Sequence, residues 1–220
     1  MEDWENWRKQ QRTTLIAQRM QISCTDRATW NNAITTALIQ GFPILQQLSV
    51  GFYSAYKGEY DPTPVMNHLA TRGTLIGLPE VITFGEPLVF RRWWPEVPTK
   101  KDLYGISVPK DTEVITINAA IIPMVGFDTQ GYRLGYGSGY FDRTLATLSP
   151  RPLTIGIAFE QLRITTTHPQ AHDIAMDFVI TEKTIYVLEE ILQPISLEKS
   201  TTVCKQILYR KGINLGSLDN

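Results

Sequence analysis

Cysteine is scarce in this sequence: Cys24 and Cys204 are the two thiols in 220 residues, far apart and in no C-x-x-C pair. That excludes a disulfide framework or a cysteine-built zinc site and suits a reducing compartment. An excess of one charge is missing too. The formal net charge is −1, so the overall balance offers no electrostatic footprint for nucleic acid or an acidic membrane. Long hydrophobic runs are absent, since the longest, Ala119 to Phe127, falls far short of the ~20 residues of a membrane-spanning helix. The opening residues MEDWENWRKQQR hold no apolar segment of the kind a secretory signal requires, and a cytoplasmic location is expected. No repeat or Gly/Ser/Pro-rich linker divides the chain. What remains is an ordinary globular composition, 43% hydrophobic and 20% charged, long enough for one large domain with its own core.

Trp4 to Gln21 lacks Pro and Gly and reads as a helix, with Arg8, Arg12, Leu15 and Arg19 at helical spacing along one face. A second helix is expected over Asp26 to Gln40, capped by Thr25 or Asp26 and ended at Gly41. Leu48 to Ala55 reads as a strand, Gly58 to Pro64 as a loop and Val65 to Arg72 as a short helix. Further strands are expected at Leu75–Ile76, Val81–Phe84, Leu88–Trp94, Leu153–Phe159 and Phe178–Thr181. Ala119 to Phe127 reads as a central strand buried on both faces, and Tyr140 to Leu148 as a helix. This alternation predicts a single three-layer α/β domain over residues 1–194, its sheet mainly parallel with helices on both faces. Residues 195–220 read as a polar, loosely attached tail.

The most informative segment is GFDTQGYRLGYGSGYFDR, from Gly126 to Arg143. A buried strand ends, a polar turn follows, and glycines at 135, 137 and 139 lead directly into a helix. Glycines let backbone N–H groups point at an anion, and a helix start adds partial positive charge. Arg133 and Arg143 bracket this phosphate cradle, and Asp142 in the first turn could hold magnesium between phosphates. The segment is neither a Walker A loop nor a G-x-G-x-x-G fingerprint, and by spacing alone it is equally a tight strand-to-helix turn.

Gly-Tyr-Arg-Leu-Gly-Tyr-Gly-Ser-Gly-Tyr-Phe-Asp-Arg, after Val-Gly-Phe-Asp, resembles the signature of the 5-formyltetrahydrofolate cyclo-ligase (methenyltetrahydrofolate synthetase) family. The likeness continues in order through WRKQQR (7–12), KGEYD (57–61), FRRWWP (90–95) and HPQAHDIAMDFVITE (168–182). It implies ATP-dependent closure of 5-formyltetrahydrofolate to 5,10-methenyltetrahydrofolate, with Mg2+ and with ATP and a reduced folate as the small-molecule partners. The resemblance assigns ATP binding to Arg8, Arg12, Arg133, Leu134, Gly135, Tyr136, Gly137, Ser138, Gly139, Tyr140 and Phe141. Asp142 and Asp177 are implied as the metal-site carboxylates. Glu59, Ser54 and Tyr140 are implied as substrate contacts, and no side-chain nucleophile is needed. Tyr136 and Ser138 depart from the pattern, standing where some relatives carry Arg and Lys.

His168, His172 and Asp173 suggest zinc only superficially, because Pro169 disfavours a regular helix and no H-E-x-x-H pattern is present; a loop that places Asp173 and Asp177 near the active site is the better reading. Trp93 and Trp94 read first as packing residues, and the arginine face of the first helix as a solvated one. Two other readings stay open: a noncatalytic folate- or nucleotide-binding relative, and an ATP-dependent ligase acting on another N-formyl or carboxylate substrate. A monomer or weak oligomer is expected, with neither nucleic acid nor membrane as partner.

Overall fold

The computed structural model describes residues 3–215. Five parallel strands form the centre of a nine-stranded sheet: β1 (Val50–Gly51), β2 (Ile76–Glu80), β7 (Ala119–Pro123), β10 (Leu153–Ile157) and β11 (Phe178–Ile180). Antiparallel strands close both edges, β3 (Val89–Trp93) and β6 (Val114–Ile115) beyond β2, β12 (Ile185–Leu188) and β13 (Leu192–Ile195) beyond β11. The parallel expectation therefore describes the centre and not the wings. Two small hairpins stand apart from this sheet: β4 (Thr99–Lys101) with β5 (Ser107–Pro109), and β8 (Gly126–Phe127) with β9 (Arg133–Leu134).

Helices cover both faces unequally. Alongside one face lie α1 (Trp4–Met20), α2 (Cys24–Gly41), α3 (Thr63–Ala70) and α5 (Leu197–Arg210), sharing a core with Val50, Ile121, Ile155 and Phe178. The opposite face is packed by α4 (Tyr140–Thr147), whose Leu145 joins Ile122, Phe127 and Val179. The alternation of β7 residues between these clusters follows from the two-residue period of a strand buried on both sides.

Several elements differ from the sequence reading. Ser23, not Thr25 or Asp26, caps α2 by accepting the Asp26 N–H at 3.0 Å. The run Ala119 to Phe127 is two strands, because the chain leaves the sheet after Pro123 and Gly126–Phe127 pairs with Arg133–Leu134 instead. Val81 to Phe84 is not a strand; Ile82 and Phe84 are exposed, and the pairing lies upstream in β2. The expected loose tail is largely α5, packed against α2 with Cys204 and Leu208 fully buried. Residues 216–220 of that tail lie outside the described residues. Among the described residues no helix is long and apolar enough to cross a membrane.

The strand order carries a functional consequence. The chain leaves β1 toward β2 on one side and leaves β7 toward β10 on the other, although β1 and β7 are neighbours. Diverging connections open a crevice at the carboxyl ends of such a pair, where open α/β sheets bind ligands.

Candidate active site

Arg19 of α1 lies against the segments that follow β1 and β7. It is only 1% exposed, donating to the carbonyls of Lys57 beyond β1 (3.0 Å) and Met124 beyond β7 (3.2 Å). One guanidinium thus fastens the two diverging loops together. Its Nη2 also donates to the Tyr136 hydroxyl at 2.6 Å, bringing the glycine loop to the same point. The sequence placed Arg19 on the basic helix face without a role, and that face is not solvated: Arg8 and Arg19 are buried and Arg12 is half-buried.

Glu59 stands beside Arg19, almost wholly buried. It accepts the Tyr56 N–H (2.9 Å) on one oxygen and the Tyr136 hydroxyl (2.9 Å) on the other, with Arg19 Nη1 at 3.6 Å. Burial pushes its carboxyl above the ordinary glutamate value, and Arg19 with the two hydrogen bonds only partly offsets this. Ser54 lies nearby, exposed, just past the end of β1. Arg27 steadies this segment by donating to the Gly58 carbonyl at 2.6 Å.

The glycine loop runs from Gly135 to Gly139 between β9 and α4. Leu134 anchors its start, buried, with its carbonyl accepting the Val125 N–H. Gly137 and Gly139 have φ of 103° and 64°, in the region that L side chains rarely adopt. A Cβ on Gly137 would also press within 3.2 Å of the Arg12 guanidinium, and one on Gly139 within 2.9 Å of Arg143. The backbone, then, is shaped to bring two cations against it. No side chain caps the start of α4. Tyr136, Gly137 and Ser138 are exposed; Tyr140 and Phe141 are half-buried, Phe141 against the α4-side core. The Tyr140 hydroxyl lies 2.9 Å from that of Tyr104.

The cations divide into two classes. Arg133 is buried, bonded to Asp142 (2.7 Å) and the Ile174 carbonyl, so it orients Asp142 where the sequence had it bracketing phosphate. Arg8 is likewise held, by the Thr167 and His168 carbonyls and the Asp173 carboxylate. Among the described residues, Arg12 and Arg143 hydrogen-bond only to loop carbonyls, Gly135 O at 2.8 Å and Ser138 O at 2.6 Å, and the buried Nε of Arg143 has no partner. Burial and then the neighbouring Arg8 lower the Arg12 pKa, Asp173 only partly opposing them. Two guanidinium groups that pair with no carboxylate among the described residues flank a loop of glycine amides at a helix start. That arrangement is chemically suited to an anion.

Of the two expected metal carboxylates, the structure brings one to this place. Asp142 sits in the first turn of α4, accepting the Ile174 N–H at 3.0 Å as well as Arg133. Asp177 lies at the amino end of the sheet, beside the start of β10. Its carboxylate accepts from Thr154 N–H (2.7 Å) and hydroxyl (2.9 Å) and pairs with Lys211 at 3.0 Å. The carboxylate near Asp142 is Asp173, next to the Ile174 that Asp142 bonds. Burial raises the Asp173 pKa, but hydrogen bonds from Arg8 and the Gln170 N–H outweigh it and hold the carboxyl below its ordinary value. No cluster of three or more His, Cys, Asp or Glu ligands occurs among the described residues. Two carboxylates do not make an all-protein cage, but they fit magnesium, which keeps several waters and binds one or two carboxylates plus substrate phosphates. The sequence signal for Asp173 was present in the spacing D-x-x-x-D; spacing alone did not say which aspartate precedes a strand.

Residues 4–182 match the model of the 5-formyltetrahydrofolate cyclo-ligase family. The 5-formyltetrahydrofolate cyclo-ligase of Haemophilus influenzae is 27% identical over 160 residues, 70% of this chain and 86% of that protein. That of Escherichia coli K12 is 26% identical over 151 residues, 66% of this chain and 83% of that one. The Aquifex aeolicus 5,10-methenyltetrahydrofolate synthetase has a similar structure, with a TM-score of 0.72 and 27% identity over 87% of this chain and 96% of that one. The Mycoplasma pneumoniae 5,10-methenyltetrahydrofolate synthetase shares the fold, with a TM-score of 0.66 at 22% identity over 80% of this chain and 98% of that one.

Proposed function

The chain belongs to the 5-formyltetrahydrofolate cyclo-ligase family, and we propose that the crevice between β1 and β7 is where it closes 5-formyltetrahydrofolate to 5,10-methenyltetrahydrofolate with ATP. The observation that carries this reading is the pair Arg12 and Arg143, two cations that have no carboxylate partner among the described residues, against a glycine loop at a helix start.

The N5-formyl group is an amide whose oxygen leaves poorly. Transfer of the γ-phosphoryl group to that oxygen makes it a good leaving group. N10 then attacks the formyl carbon, loses its proton, and phosphate departs as the ring closes. Phosphoryl transfer depends on positioning and charge neutralisation rather than on a protein nucleophile. Arg12, Arg143 and the amides of residues 135–140 supply both around the phosphates. Asp142 and Asp173 would hold magnesium, which when bound neutralises phosphate charge. Arg133 and Arg8 keep those carboxylates in place. Glu59 orients the pterin from the other side of Arg19, and its burial restricts water there. Ser54 and Tyr140 are the further substrate contacts in this reading, and the enzyme acts as a soluble cytoplasmic monomer or weak oligomer.

The test is the near-ultraviolet absorbance of the methenyl product after mixing purified protein, 5-formyltetrahydrofolate and Mg-ATP. The expected result is a rise that requires both ATP and metal. A flat trace from folded protein that binds ATP would contradict the assignment of substrate.

A further inference from the structure

Tyr136 is the point at which the glycine loop meets the folate side of the crevice. The residue is 42% exposed, yet its hydroxyl reaches inward to two buried groups, receiving from Arg19 at 2.6 Å and donating to Glu59 at 2.9 Å. Its ring also lies 5.8 Å from that of Tyr56, on the loop that follows β1. No other side chain of the glycine loop bonds the segment 53–60. On its other flank the loop is bonded by Arg12, through a backbone carbonyl.

We propose that Tyr136 couples the two halves of the site, tying the position of the glycine loop to the arrangement of Glu59 and Arg19 so that ATP and the formylated folate bind cooperatively. The coupling rests on the ligase reading above. Its physical basis is that each Glu59 oxygen accepts one strong hydrogen bond, from Tyr56 N–H and from Tyr136, and so retains acceptor capacity for donors on a pterin. A phosphate that orders the loop amides also holds Tyr136 in place, and Tyr136 in turn fixes Glu59 in the orientation the folate meets. Thermodynamic linkage makes this reciprocal: a folate that fixes Glu59 favours the loop conformation that binds ATP. Tyr136 acts through Glu59 and the loop, which makes it a positioning residue.

The experiment measures the Kd of a β,γ-imido ATP analogue with magnesium, in the absence and presence of saturating 5-formyltetrahydrofolate, and the Kd of the folate with and without the analogue. The readout is the ratio of the two constants, which a purely structural loss would not move selectively. In wild type each ligand is expected to tighten the other by about fivefold or more. In Tyr136→Phe, which keeps the ring and removes the hydroxyl, both ratios are expected to fall to about one. A ratio unchanged in Tyr136→Phe, or a wild-type ratio of about one with both ligands bound, overturns the coupling and leaves the ligase reading intact. Failure of folded wild type to bind the folate at all overturns the ligase reading and the coupling with it.

Discussion

The two ends of the central sheet treat their charges differently. At the carboxyl end, five guanidinium groups (Arg8, Arg12, Arg19, Arg133 and Arg143) meet three carboxylates (Glu59, Asp142 and Asp173), and two of the cations are left on backbone carbonyls. At the amino end, Asp177 is matched by Lys211 and by both donors of Thr154. A charge cluster that satisfies itself holds the fold together, whereas a cluster with cations left over is completed by a ligand. The distinction separates Asp142 from Asp177, two aspartates that resemblance alone treated alike.

The largest effect that would sharpen this contrast is at Arg12. Arg12→Ala should lower kcat/KM for ATP by roughly a hundred- to a thousandfold, the scale of one preorganised group facing transition-state charge. Steady-state rates at varied ATP check it, and a change under threefold would mean that Arg12 does not face the phosphates. Next come the carboxylates: Asp142→Asn and Asp173→Asn should each raise the magnesium concentration needed for half-maximal rate by about tenfold, near 1.4 kcal/mol of metal affinity. At the amino end the expected outcome reverses. Asp177→Asn should leave the magnesium requirement unchanged and cost about 1–3 kcal/mol of stability, read by urea denaturation, through the lost charged partner of Lys211.

The smallest effect is a pH dependence at Glu59. Its folded pKa is raised, so its contribution to stability is fully present below the unfolded glutamate value of about 4.3 and is lost as pH rises through the folded value. Glu59→Gln, fixed in a neutral form, should therefore gain in Tm relative to wild type as the pH is raised from 4 toward 7, while cyclisation is lost. Thermal melts across that range test it; a difference independent of pH would mean that burial does not perturb this carboxyl.

Much of this was legible in the chain. The glycine loop and α4 were readable because glycine spacing and helix periodicity are local signals, and α1 because its length lacks breakers. Only the start of β2 was read, as Leu75–Ile76, because Gly77 and Pro79 read as punctuation. In the sheet Gly77 is needed for close approach, since a Cβ there would lie 2.9 Å from Phe90, and Pro79 pairs with Phe90 in an edge-ward antiparallel register. The α5 helix was read as tail because its buried stripe, Ser200, Cys204 and Leu208, contains one strong hydrophobe. Two roles were not read from the chain, the buried tie made by Arg19 and the place of Asp173 rather than Asp177 beside Asp142, and both depend on tertiary placement. Arg19 matters because β1 and β7 diverge above it, and Asp173 because four residues further on, at Asp177, the chain has already reached the other end of the sheet.

The most direct test of that placement is a calorimetric titration of Mg-ATP into wild type, Asp142→Asn and Asp177→Asn, with folding of each checked by circular dichroism. The account predicts affinity weakened about tenfold or more in Asp142→Asn and unchanged in Asp177→Asn. Affinity lost in folded Asp177→Asn and retained in Asp142→Asn would contradict it, because the nucleotide would then lie at the amino end of the sheet.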